Sequence, residues 1–441
     1  MPPSDFQKAR DAAASAEASS SPYLYAEVDG RPYFPTLHAK TSGDDGDNNL
    51  SIIRAAVAVV LAAAAANGDT ASSELSAVSI PSDEELAGHF TVNVVSGGIT
   101  NSLYRVSGLT TSSLLADALP ETSELKGHDS VLVRVFGAEG MIDRDVENST
   151  LASLVDQGIA DRYLGRFANG RLEGWLDGFR PLSKEEFADA PTSDAIAVQM
   201  ANLHASFVVP DYLQSFHDPS QPAMWTQLHA WMKQALSYEQ FKTEADTDRA
   251  QKLNLSNIEA ELDHLEKEVV PADAGVAFCH NDLLAANIMK CPTTGRIQLI
   301  DFEYGGVNYR SFDIANHFNE FAGGTTEEEN GVPDYSLFPT EERQEAFVRS
   351  YIRASKEGSG AAATVASSDG DSKDDEDKQV QLLLREVHAF ILANHLYWGL
   401  WAVNQAAMEG CDDFDYLTYA ASRFGEYQNG KAKIEAQLQS S

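Results

Sequence analysis

The chain has 441 residues, 67 acidic and 32 basic, for a formal net charge of −35, with 43% hydrophobic and 9% aromatic residues. That apolar share is enough to bury a sizeable core, so a wholly disordered chain is excluded despite the acidity. The charge excludes broad attachment to nucleic acid or anionic membranes, which draws on clustered lysine and arginine; a small anionic ligand in a locally basic pocket stays open.

The chain starts Met1-Pro2-Pro3-Ser4-Asp5, with no basic stretch leading into an apolar core, so no cleaved secretory signal is expected and a cytoplasmic protein is. Residues 1–48 combine an Ala/Ser-rich stretch with a Gly/Asp run and are expected to be disordered. The longest apolar run, Ala55–Ala66, has 12 residues, where a membrane span needs roughly 20. It reads as an Ala-rich helix starting near Ser51, and no stable membrane insertion is expected. Alternation predicts strands at Phe90–Val95 and Ser130–Phe136. Helical spacing follows over Asp143–Asp156, then a hairpin over Phe167–Leu176 turning at Asn169-Gly170.

Beyond Ser183 helices dominate. They are expected at Ser193–Phe207, Ala223–Tyr238, Ala250–Val269, Glu341–Ile352 and Val380–Ala406, with short buried strands at Ala277–Cys279 and Gln298–Phe302. Residues 355–378 lack apolar content and are expected to form a mobile insertion. The three cysteines, Cys279, Cys291 and Cys411, make no disulfide framework and suit a reducing compartment. A strand-rich third followed by a helix-rich remainder predicts an α+β protein of two lobes, a small N-lobe over 49–175 and a larger C-lobe over 176–441.

The segment richest in chemistry is 276–303. His280, Asp282 and Asn287 stand in the spacing H-x-D-x-x-x-x-N, and Asp301 ends a following apolar strand. Phosphoryl transfer gives these types a reason to coincide. A carboxylate beside the acceptor hydroxyl takes or orients its proton, which fits Asp282. An amide oxygen and a second carboxylate hold Mg²⁺ on the nucleotide phosphates, which fits Asn287 and Asp301. Any one of these residues alone would read as a helix cap or a turn; their joint spacing does not.

These motifs resemble the choline/ethanolamine kinase family, which has a protein-kinase-like fold. The resemblance rests on His280-Asn281-Asp282-Leu283-Leu284, Ile300-Asp301-Phe302-Glu303-Tyr304, Asn308-Tyr309-Arg310 and Phe312 to Glu320, and runs from about Val94 to Tyr427. Details look more like ethanolamine kinase: Gly98-Ile99-Thr100-Asn101, Leu283-Leu284 after the aspartate, and Asp334-Tyr335-Ser336-Leu337-Phe338-Pro339. The resemblance implies that Gly98, Thr100 and Asn101 belong to the nucleotide loop. Arg134 would take the place of the strand lysine of protein kinases, with Glu147 as the acid that pairs with it. Glu173 falls at the adenine-holding hinge. A plain hairpin turn for the glycines and a solvated helix face for Glu147 are the competing readings.

On the acceptor side the resemblance puts Trp398, Trp401 and Tyr419 in a ring pocket, against core packing as the competing reading of two tryptophans at helical spacing; Tyr304 adds a ring, and Glu320 is the candidate partner for an ammonium. His280 and Asp313 read as groups that orient the loop rather than exchange protons, and His204 reads as a satisfied core histidine. The reaction implied is ATP-dependent phosphorylation of ethanolamine with Mg²⁺, the first step of the CDP-ethanolamine route. Its partners are ATP and ethanolamine or choline, and a homodimer is compatible with it. The rivals are a choline kinase, a non-catalytic nucleotide-binding scaffold and an antibiotic or sugar phosphotransferase.

Overall fold

A computed structural model describes residues 5–15, 23–41, 46–65, 75–95, 101–116, 125, 127–137, 142–358 and 373–439. The chain divides into two compact units, Met1–Asp177 and Gly178–Ser441.

In the first unit the helices are α1 (Asp5–Ser15), α2 (Gly46–Ala65), α3 (Asp83–Leu86), α4 (Ser113–Ala116) and α5 (Arg144–Asp156). The strands are β1 (Tyr23–Val28), β2 (Arg31–Phe34), β3 (Ser76–Val78), β4 (Thr91–Val95), β5 (Asn101–Ser107), β6 (Ser130–Phe136), β7 (Tyr163–Phe167) and β8 (Gly170–Gly174). All eight form one sheet in the order β3-β1-β2-β7-β8-β6-β5-β4, antiparallel except where β2 runs parallel to β7. The alternation in β4 and β6 and the Asn169-Gly170 turn lie where the sequence puts them.

Residues 1–48 need correction. Among the described ones, α1, β1 and β2 are ordered elements, and β1 and β2 extend the sheet. Tyr25, Tyr33 and Phe34 are buried there, so this stretch carries its own share of core despite its polar neighbours. The Ala-rich run is a helix, α2, and it is buried almost all round: Ile52, Ile53, Val57, Val59 and Val60 are at most 4% exposed. Alanines let it lie close on the sheet, and each buried valine or isoleucine contributes about 1.5–3 kcal/mol. Its apolar character thus serves the core. Among the described residues no helix is long and apolar enough to cross a membrane.

The second unit starts with β9 (Arg180–Pro181), α6 (Lys184–Phe187), α7 (Ala190–Ser206), α8 (Ala223–Ser237), α9 (Glu244–Lys252) and α10 (Leu255–His264). Next come β10 (Val276–Cys279), β11 (Ile288–Lys290), β12 (Ile297–Leu299), β13 (Gly306–Tyr309) and α11 (Arg310–Asn319). It closes with α12 (Glu341–Gly358), α13 (Lys373–Met408) and α14 (Tyr416–Gln439).

Three expectations shift. Asp189, not Ser193, caps α7, its side chain accepting from Thr192 N. The helix expected over Ala250–Val269 breaks where Asn254 takes a left-handed φ of 52°, giving α9 and α10. The insertion 355–378 is helical at both ends, because α12 runs to Gly358 and α13 begins at Lys373; acidic Glu376 there is held by Arg349 and Arg353. Residues 359–372 lie outside the described residues.

Helices α13 and α14 approach closely at Gly399, where an added Cβ would run into the Phe424 ring. Two positions on, Trp401 meets Tyr416 at 5.6 Å and Tyr419 at 6.5 Å in the first turn of α14.

Candidate active site

The loop between β10 and β11 carries the H-x-D-x-x-x-x-N residues, and its shape is set by buried polar side chains. Asp313, on α11 and fully buried, accepts from His280 N at 2.8 Å and Asn281 N at 2.6 Å. One turn further, Asn316 Oδ1 accepts from Leu283 N at 2.6 Å. Asn281 stands at a left-handed φ of 68°, with its side chain donating to Tyr304 O at 2.8 Å and accepting from Asn308 Nδ2 at 2.8 Å. His280 Nε2 donates to Ile300 O at 2.8 Å, which ties the loop to the strand end before Asp301. The loop is therefore pinned on both sides of Asp282 while the Asp282 side chain remains half-buried.

His204 bridges Asp313 Oδ2 (2.9 Å) and the Tyr351 hydroxyl (2.8 Å). Burial works hardest against the Asp313 charge, but His204, His280 and the loop amide hold its carboxyl below its ordinary range. His204 has both ring nitrogens satisfied, and the hydrogen bonds of His280 and Asp313 fit the loop-orienting roles expected for them.

Asn287 ends the loop. Its Nδ2 donates to Asp282 Oδ2 and to Asp282 O, both at 2.9 Å. Its backbone carbonyl accepts from Ile300 N at 3.0 Å, so Asp301 follows directly after that backbone pairing. Asp301 itself has a left-handed φ of 64°, a cost of order 1–3 kcal/mol for a non-glycine residue, of the kind that clusters at functional sites. Its carboxylate lies within 4.8 Å of that of Glu303. Burial, with Glu320, Glu303 and Asp301 nearby, pushes the Asp282 carboxyl well above the ordinary range.

The donor set suits a hard divalent cation. With Nδ2 spent on Asp282, Asn287 keeps its Oδ1 as a hard oxygen, and Asp301 supplies a carboxylate. Mg²⁺ is bound through few such ligands and keeps several waters.

The acceptor-side rings also come together. Trp401 Nε1 donates to the Tyr304 hydroxyl at 2.9 Å. Trp398 meets Tyr304 edge-on at 5.3 Å and Trp401 at 5.5 Å, and Trp401 meets Tyr419 at 6.5 Å. Trp398 Nε1 is buried with no hydrogen-bond partner among the described residues. Glu320 is 7% exposed and faces Arg423 at 3.3 Å; the same guanidinium donates to the Tyr419 hydroxyl at 3.2 Å. Burial raises the Glu320 carboxyl even though Arg423 opposes it. Sequence reasoning missed Arg423. Its signal was the four-residue spacing from Tyr419, one helical turn.

In the first unit, Gly98 and Thr100 lie outside the described residues. Asn101 is the first residue of β5, and its Oδ1 accepts from Arg144 at 3.1 Å. Glu147 is buried on α5, but the pairing expected between it and Arg134 is redistributed. Glu147 is held by Arg144 at 2.7 Å and Arg171 at 2.5 Å, while Arg134 Nε donates to Glu173 at 2.8 Å. Arg171 also reaches Glu173 at 2.7 Å, giving a relay Arg134–Glu173–Arg171–Glu147. Arg171 follows the turn of the β7–β8 hairpin and so adds a second cation that residue spacing could not reveal. Burial opposes the Glu173 charge, yet the two guanidinium groups hold its carboxyl down at about 2. Glu173 sits mid-strand between β6 and β7, so its side chain has an ionic role the sequence did not suggest.

A cavity of about 300 Å³ lined by Tyr335, His388, His395 and Lys433 lies elsewhere in the second unit, and none of the expected site residues lines it.

The choline/ethanolamine kinase family pattern matches residues 92–428. The chain is 31% identical over 333 residues to probable choline kinase 1 of Arabidopsis thaliana, covering 75% of this chain and 84% of the relative. It is 32% identical over 349 residues to probable ethanolamine kinase A of Dictyostelium discoideum, covering 78% and 85%. Among solved structures, an ethanolamine kinase of Plasmodium vivax superposes with a TM-score of 0.60 at 23% identity, covering 77% of this chain and 82% of that one, which identifies the fold.

Proposed function

The chain belongs to the choline/ethanolamine kinase family, and from that premise we propose that it transfers the γ-phosphoryl group of ATP to the hydroxyl of ethanolamine. The products are phosphoethanolamine and ADP, and the reaction opens the CDP-ethanolamine route to phosphatidylethanolamine. The observation that carries this reading is the Asp282–Asn287 contact at 2.9 Å on a loop anchored to the strand end before Asp301.

In this account Asp282 orients the acceptor hydroxyl and takes its proton as the new O–P bond forms. Its raised pKa makes it a better proton acceptor than an ordinary surface carboxylate. Asn287 keeps Asp282 in one rotamer and, with Asp301, would hold Mg²⁺. When bound, that ion would offset charge on the nucleotide phosphates. Arg134, fixed by Glu173, grips phosphate oxygens in the forked geometry of a guanidinium.

Ethanolamine is preferred over choline because acceptors as well as rings surround the pocket. A primary ammonium has N–H groups to donate, and Glu320, Glu303 and the tyrosine hydroxyls can receive them. A quaternary ammonium has no N–H to donate, meets those acceptors through charge alone and leans more on ring faces, worth roughly 0.5–2 kcal/mol each. The Trp398–Trp401–Tyr304 cluster supports choline as the second reading. With both alcohols competing for one pool of ATP, kcat/KM is expected to favour ethanolamine by at least about tenfold, or ~1.4 kcal/mol. A higher value for choline would reverse the head-group preference and leave the phosphotransfer chemistry standing.

A further inference from the structure

Helix α1 lies outside the segment that matches the family, yet it is tied to α5 by a forked ion pair. Arg10 Nη2 reaches Asp145 Oδ2 at 2.7 Å, and Arg10 Nη1 reaches Asp145 Oδ1 at 3.1 Å. Arg166 holds Oδ1 of the same carboxylate at 2.8 Å. The Phe6 ring of α1 sits under the Arg166 guanidinium at 4.5 Å and meets Tyr33 edge-on at 5.2 Å. Two parallel N–H···O contacts fix orientation as well as distance. Asp145 is therefore gripped from two directions in the first turn of α5.

That same turn leads to the groups read above as the nucleotide side. Arg144, one residue before Asp145, donates to Asn101 Oδ1 at 3.1 Å and to Gly137 O at 2.8 Å. Asn101 follows the glycine-rich segment in sequence. Glu147, two residues after Asp145, starts the relay through Arg171 and Glu173 to Arg134. A shift or roll of this single turn would move both the strand start at Asn101 and the carboxylates that fix Arg134.

Helix α1 has only 11 residues and buries only Phe6, Ala9 and Ala13. A helix that short is marginal by itself in water, so its order depends on this docking.

We propose that Arg10 is a positioning residue for ATP: by docking α1 on Asp145 it sets the first turn of α5, and through Arg144 and Glu147 it sets Asn101 and Arg134. The proposal rests on reading Arg134 as a phosphate-holding residue.

The test compares full-length wild type with Arg10→Ala, Arg10→Gln and Arg10→Lys. Each is measured for KM of ATP, KM of ethanolamine, kcat, thermal midpoint and direct calorimetric affinity for ATP·Mg²⁺. Allosteric couplings of this kind are typically about 5–150-fold, and a rise of about 5–20-fold in the KM for ATP is expected for Arg10→Ala and Arg10→Gln. Their kcat and KM for ethanolamine should stay within about twofold, and Arg10→Lys, which keeps the charge but not the fork, should recover only part of the loss. Asp145→Asn, which weakens the Arg166 contact as well as the Arg10 fork, should raise the KM for ATP by at least as much as Arg10→Ala. An unchanged KM for ATP in a folded variant overturns the proposal. So does a parallel loss in both KM values and kcat that follows the thermal midpoint, which would make α1 merely structural. Failure of wild type to phosphorylate any amino alcohol would instead strike the proposed function, while the calorimetric comparison would still judge Arg10.

Discussion

Asp282→Ala is expected to lower kcat by about 10²–10⁴-fold, the range supplied by a positioned proton acceptor, while ATP·Mg²⁺ binding stays near wild type. Among the described residues the side chain makes one hydrogen bond, from Asn287, and the loop on either side of it is held by Asp313, Asn316 and Asn308. The variant should therefore fold. Asp282 must be ionised to accept a proton, and its carboxyl titrates above the ordinary range. Protonation thus sets in while the pH is still above about 4, the usual carboxylate value. In wild type, kcat/KM should fall with decreasing pH, with a midpoint on the alkaline side of that value. Steady-state rates across pH, with calorimetry for nucleotide binding, check both parts. Near-native turnover by the purified variant would remove Asp282 from the chemistry.

Asp313→Ala is expected to be the most damaging change in the second unit. It strips the acceptor from His280 N and Asn281 N and leaves His204 without its carboxylate, all in fully buried surroundings. Removing one side of a buried charged network costs about 3–5 kcal/mol. A loss of that size should lower the denaturation midpoint steeply, and turnover should fall even in the fraction still folded because Asp282 is no longer aimed. Asp313→Asn, which keeps one acceptor oxygen, should retain more stability than the alanine variant. The sign with pH follows from the depressed Asp313 carboxyl. Its stabilisation is complete above the unfolded value near 4 and is lost as pH falls through the lower folded value. Chemical denaturation of wild type and both variants at neutral pH checks the ranking; equal midpoints would contradict the anchoring role of Asp313.

What the sequence revealed, and what it hid, follows from the range of each interaction. β6, α5 and the β7–β8 hairpin are legible because alternation, helical spacing and Asn169-Gly170 are local signals. The residues of the 280–287 loop are legible because the chemical role proposed for them constrains spacing within a few positions of Asp282. β1 and β2 were lost inside a polar, small-residue stretch, although Asp29-Gly30, with φ values of 53° and 72°, is the hairpin signal that would have found them. The Asn254 break went unread because apolar periodicity continues on both sides of it. The relay Arg134–Glu173–Arg171–Glu147 was half legible: the carboxylates were found, but partners separated by a strand pairing leave no trace in spacing. The pairing of Arg423 with Glu320, more than a hundred positions away, is hidden for the same reason, and only its one-turn spacing from Tyr419 is local.

The most direct measurement is the phosphorus spectrum of the purified protein with ATP, ethanolamine and Mg²⁺, followed in time and repeated with the metal chelated. The γ-phosphate signal should give way to a phosphomonoester on ethanolamine, at a rate that vanishes on chelation and returns with added Mg²⁺. A γ-phosphate that stays on ATP, or passes only to inorganic phosphate with ethanolamine and choline alike, would contradict the account.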